Sequence, residues 1–217
     1  MGKSVYSVVL DDDVVHALDL AAMRAGMTRS AMINRLLAQQ LQLSTPEQRI
    51  RSVFDAIEKL MADRYTTLHV LADPTPTQLS IRSALRYKYN PTVKYSIELF
   101  TGSSEYLGVL QIQLRTQNTV LVQALQEFYQ IWSVLEQEGI GTFEALYSIS
   151  GTGFSRVLRR PQHPCTEQQL ADLLTRYVHV MDTCMKLYLA QMDDPQTAAV
   201  LTARQWQESL DDVLARL

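Results

Sequence analysis

The chain is short of the residues that mark a covalent or compartment-specific framework. Its 217 residues include two cysteines, Cys165 and Cys184, too few for a disulfide scaffold and at a separation that matches no common zinc spacing. No stretch approaches the roughly 18 consecutive apolar residues of a membrane span. Met1-Gly2-Lys3-Ser4-Val5 lacks the apolar run of a secretory leader, so a cytoplasmic protein is expected. Charge of one sign is also scarce. Twenty Lys and Arg stand against 23 Asp and Glu, a formal net charge of -3, which excludes a globally basic nucleic-acid binder. Any DNA contact must come from a local patch. Catalytic signatures are missing too: there is no Gly-x-Ser-x-Gly, no His-Glu-x-x-His and no Cys–His pair with nucleophile spacing. Gly151-Thr152-Gly153 lacks the third glycine and preceding strand of a dinucleotide loop. No enzyme, catalytic residue or cofactor is expected.

What is there is a pattern of periods. Residues 4–10 alternate, with Tyr6, Val8 and Leu10 on one face and Val5, Ser7 and Val9 on the other, which predicts a short strand. Asp11-Asp12-Asp13 suits a helix start, where backbone N–H groups and the dipole favour negative charge. Val14, Val15, Leu18, Ala21 and Ala22 follow at helical spacing until Gly26. Thr28 is placed to cap a second helix with the stripe Met32, Ile33, Leu36, Leu37 and Leu41.

A boundary follows, giving an N-terminal domain over residues 1–43 and a second over 46–217. Thr45, Pro46 and Gln48 form a capping box for a helix striped by Ile50, Val53, Phe54, Ile57, Leu60 and Met61. Asp73-Pro74-Thr75-Pro76-Thr77 reads as loop. The period then falls to two in three runs, around Leu79–Tyr89, Val93–Leu99 and Leu110–Leu114, separated by Asn90-Pro91-Thr92 and Thr101-Gly102-Ser103-Ser104. The fold class expected is α+β, with an antiparallel three-stranded meander covered by helices on one face. Leu121, Leu125, Phe128, Trp132 and Leu135 mark a long helix ending near Gly139. Residues 142–160 fit either a short helix pair or a hairpin broken at Gly151-Thr152-Gly153. Thr166 with Gln169 opens another helix, and Trp206, Leu210, Val213, Leu214 and Leu217 mark a last one after Pro195.

Fewer than about 40 residues cannot bury a core alone. The order of strand, helix, turn and helix, with Gly26-Met27-Thr28-Arg29-Ser30 between the helices, resembles the ribbon-helix-helix DNA-binding family over residues 3–41. That resemblance implies a homodimer through paired N-terminal strands, double-stranded DNA as partner, and transcriptional control. It places Lys3, Val5, Ser7 and Val9 toward base edges in the major groove. It gives Thr28, Arg29 and Ser30 the role of phosphate clamp. Two of the three outward strand residues are valines, where the family often has polar readers. Lys3, Arg24, Arg29 and Arg35 are balanced by Asp11, Asp12, Asp13 and Asp19.

Two further clusters stand out. Arg82, Arg86, Lys88, Lys94 and Arg115 fall on the polar side of the expected meander beside one acid, Glu98, and would hold an anionic ligand or an acidic protein partner. Arg156, Arg159 and Arg160 fall at helical spacing near His163. Nickel-responsive repressors join a ribbon-helix-helix domain to a metal domain, but His16, His69, His163 and His179 are scattered here, so no metal site is expected. The alternative to a regulator is an interaction or ligand-sensing protein whose N-terminal segment only dimerises.

Overall fold

The structure, a computed structural model, describes residues 5, 7–41, 44–72, 75–87, 90–103, 105–140, 147–161 and 163–209. It divides into two units, Met1–Arg49 and Ile50–Leu217.

In the first unit, α1 (Asp12–Arg24) begins with Asp12 and Asp13 and ends with Arg24, each charge opposing the helix dipole at its end. Gly26, at φ 63°, then turns the chain through the left-handed region that disfavours a side chain. Thr28 caps α2 (Arg29–Gln40), its hydroxyl accepting from the Ala31 N–H at 3.3 Å. Leu18, Ala22 and Met32 are buried between the helices, with Ala21, Met27 and Ile33 packed at their margin. Leu36, Leu37 and Leu41, expected in the stripe of α2, are exposed.

The segment before α1 is a correction. Alternation predicted a strand over 4–10, but residues 5 and 7–10 form none, while residues 1–4 and 6 lie outside the described residues. A strand needs a neighbour to satisfy its N–H and C=O groups. Among the described residues none pairs with this segment, and both parities are open to solvent: Val9 is 99 % exposed and Val8 74 %. A helical N-terminal region therefore precedes the sheet, in place of a ribbon.

The helix α3 (Pro46–Arg64) opens on the expected box. Thr45 N–H donates to Gln48 Oε1 at 2.8 Å, and Gln48 N–H donates back to Thr45 Oγ1 at 3.2 Å. All six of its striped apolar residues are buried. The sheet is also corrected, from three strands to six. Its members are β1 (Leu68–Leu71), β2 (Gln78–Ala84), β3 (Thr92–Leu99), β4 (Tyr106–Leu114), β5 (Tyr147–Ser150) and β6 (Gly153–Arg159). All pairs are antiparallel, in the order β1-β2-β3-β4-β6-β5. The central β2-β3-β4 meander matches the alternation of the sequence, and Asn90, at φ 43°, sits in its first turn. The pairing of β4 with β6 shifts register between Tyr106 and Gly108. A Cβ on Gly108 would lie 2.0 Å from the Glu98 carbonyl oxygen, so only glycine fits.

Residues 147–159 resolve as the hairpin rather than the helix pair. A strand alternates faces, so Arg156 points inward while Arg159 points outward, and the expected arginine cluster at helical spacing does not form. The helices α4 (Thr119–Ile140), α5 (Glu167–Ala190) and α6 (Pro195–Ser209) complete the unit. Thr166 and Gln169 form the capping box of α5 as expected. The last turns expected of the final helix, from Leu210 on, lie outside the described residues. One core joins the stripes of α3, α4, α5 and α6 to the inward residues of the sheet. Phe128, Tyr129, Trp132, Phe154 and Trp206 meet in it at ring-centroid distances of 4.8–5.9 Å.

Candidate nucleic-acid interface

The N-terminal unit carries the residues that the sequence assigned to DNA. Val5, Ser7 and Val9 are exposed, Val5 and Val9 almost completely, and Lys3 lies outside the described residues. Thr28 is occupied by its cap on Ala31. Ser30 is exposed in the first turn of α2, where backbone N–H groups have no intrahelical partner. Arg29 differs from expectation. Its Nε and Nη2 donate to the two carboxylate oxygens of Asp19 on α1, a two-pronged pair across the helix hairpin. That hydrogen bonding holds the Asp19 carboxyl below the usual carboxylate range and raises the guanidinium. Arg29 therefore ties α2 to α1 and reaches a phosphate only by leaving Asp19.

The second expected cluster is partly assembled. On the outward face of the sheet, cross-strand register sets His69 opposite Arg82, Arg82 opposite Lys94, and Lys94 opposite Gln113. His69, Arg82, Lys94 and Gln113 are all exposed, as is Arg115 just past the end of β4. Arg86 follows β2 in a bend, and Lys88 lies outside the described residues. Glu98, in β3, is opposite Gln78 on one side and Val109 on the other, at the far end of the same face.

Two buried polar networks were not foreseen. Glu136, four residues after Trp132 on the core-facing stripe of α4, is fully buried and pairs with Arg156 of β6 at 2.9 Å. Tyr147 donates to Glu136 at 2.7 Å, and the Arg156 guanidinium sits 4.7 Å from the centre of the Tyr177 ring. Burial alone would lower the arginine's pKa; Tyr177, Glu136 and Tyr147 around it reverse this and raise it. Burial also pushes the Tyr147 and Tyr177 hydroxyls up. In the second network Asp182 accepts from Tyr95 at 2.9 Å and from Lys186 at 2.6 Å, while Lys186 also donates to Ser83 at 2.7 Å. His179, one turn before Asp182, stacks on Tyr65 with ring centroids 4.1 Å apart. The only warning in the sequence was charge at core-facing positions, such as Glu136 one residue after Leu135.

These networks lie in the core, whereas Ser7, Ser30, Arg82, Lys94, Gln111 and Gln113 are exposed to solvent. Among the described residues no three His, Cys, Asp or Glu gather as a metal site, and no helix is long and apolar enough to cross a membrane. Comparison of the chain with family models, with curated proteins and with solved structures finds no match.

Proposed function

We propose that this protein is a cytoplasmic, non-enzymatic DNA-binding regulator that works as a homodimer through its N-terminal unit. The observation that carries the reading is the distribution of open apolar surface. Among the described residues, ten of the fourteen exposed large apolar side chains lie in residues 5–41, among them Val8, Leu10, Val14, Leu36, Leu37 and Leu41. A unit of this size with three buried apolar side chains among its described residues has too small a core to be stable on its own. A second copy supplies the missing surface in the self-complementary way of a two-fold dimer.

The DNA assignment is supported by the likeness of residues 3–41 to ribbon-helix-helix proteins. It is supported too by the exposed Val5, Ser7 and Val9, and by the open first turn of α2 at Arg29 and Ser30, which suits a phosphate. Valine offers only apolar contact to a thymine methyl, so Ser7 is the hydrogen-bonding reader. A second reading, in which the unit pairs without reading DNA, is favoured by the engagement of Arg29 with Asp19. Selection by the full-length protein from a random duplex pool decides between them. Recovery of a palindromic or direct-repeat site supports the regulator; a pool that stays flat overturns it.

A further inference from the structure

The N-terminal unit is poor in free positive charge. Its five basic residues are matched by five acidic ones, and Arg29 is already held by Asp19. Duplex binding is dominated by neutralisation of phosphates. If the regulator reading holds, most of that neutralisation has to come from elsewhere in the chain.

We infer that the outward face of the sheet, at the end marked by Arg82, Lys94 and Arg115, is a second nucleic-acid contact that holds the phosphate backbone of a duplex. Arg82 and Lys94 are direct cross-strand partners, which puts like charges on neighbouring side chains. Such a pair is unfavourable unless an anion sits over it. Neither residue takes part in an ion pair among the described residues, and both are exposed. The row His69–Arg82–Lys94–Gln113 crosses four strands, about 14 Å at the usual strand spacing. Over that length one strand of a duplex presents about four phosphates.

The neighbours fit the same chemistry. In the next row Ser80 is buried and shares a hydrogen bond with Ser96, while Ser96, half-buried, and the exposed Gln111 beyond it can hydrogen-bond phosphate or sugar oxygens. No aromatic side chain stands at the outward positions of β2 and β3, or of β4 from Val109 on, so unpaired bases have nothing to stack on. That favours a duplex backbone over a single strand. Glu98 is four residues along β3 from Lys94, about 13 Å away at strand spacing and beyond close pairing.

The test uses the full-length chain, the double variant Arg82→Gln/Lys94→Gln and the N-terminal variant Ser7→Ala. Each is titrated against a random-sequence duplex over a range of salt. The sheet variant should melt at or slightly above the wild-type temperature, since it loses a like-charge pair. It should bind the duplex at least tenfold more weakly at low salt, with the salt slope reduced by about two units. Ser7→Ala should leave this non-specific slope unchanged and lower only the preference for a selected site. An unchanged slope in the sheet variant, or no random-duplex binding by the wild type, overturns the sheet contact while leaving the N-terminal reading to the selection experiment. A loss of inorganic phosphate binding at constant duplex affinity overturns it as well, because the face would then be a small-anion site.

Discussion

The two units use the same sequence grammar and reach opposite results. Both open helices with threonine caps, Thr28 on one side and Thr166 on the other, and both carry apolar stripes at helical spacing. In the larger unit the stripes of α3 and α5 are almost wholly buried. In the smaller one, Met32 is the only buried residue of α2. Periodicity tells which face of a helix is apolar, not what covers it. In the larger unit the covering surface is in the same chain; in the smaller one Leu36, Leu37 and Leu41 stay open to solvent.

The sharpest break of this comparison targets the buried pair that only the larger unit has. Glu136→Leu leaves the Arg156 charge inside the core without its carboxylate, at a cost of about 3–5 kcal/mol. The combined Glu136→Leu/Arg156→Met variant should recover most of that. Chemical denaturation of both variants checks it, and equal destabilisation by the single and double changes would show that the pair is not what matters.

The next prediction works on the smaller unit. Leu37, 55 % exposed in the single chain, is a surface position by itself and an interface position in the proposed pair. Leu37→Asp should convert a dimer to a monomer in sedimentation experiments and leave the core of residues 50–209 as stable as before. A surface leucine with no partner would change neither, typically staying within about 0.5 kcal/mol.

A smaller effect tests the shared grammar. Thr166→Ala removes the acceptor for the Gln169 N–H and should cost about 0.5–2 kcal/mol. Thr28→Ala removes the same kind of bond from a helix with little tertiary support, so in the monomeric Leu37→Asp background it should lower the helix content visibly in circular dichroism.

How far the fold could be read from the sequence follows the same divide. Caps, the α3 and α5 stripes and the β2-β3-β4 alternation were legible because each is a local pattern with a local physical cause. The outer strands were not. The Leu68–Leu71 run is too short to show a period, and Tyr147–Ser150 is serine-rich and largely exposed. In β6 the inward Arg156 breaks the apolar alternation and mimics a helical arginine row with Arg159 and Arg160. The N-terminal alternation is legible as a pattern but does not make a strand, because pairing requires a neighbour that none of the described residues supplies. At the candidate interface, the exposure of Val5, Ser7 and Val9 agrees with the pattern. The Arg29–Asp19 pair did not show, since it joins residues ten apart across a turn.

The smallest effect is a pH dependence confined to the larger unit. Burial lowers the pKa of His179 from its ordinary value of 6.5; Asp182 opposes this and Lys186 adds to it. Tyr65 stacked on the ring and a buried Nδ1 with no hydrogen-bond partner among the described residues also suit the neutral imidazole. In the pH range between the folded value and 6.5 the unfolded chain binds more protons than the folded one. The contribution is therefore complete above that range and is lost as the pH falls through the folded value. Replacing the ring by an uncharged amide, His179→Gln, should leave an acid limb that is shallower between pH ~7 and ~5, the range around an ordinary imidazole. The measurement is the urea midpoint of wild type and variant across that range. Parallel curves would mean that His179 titrates alike in the two states, and that acid sensitivity belongs to the carboxylates common to both units.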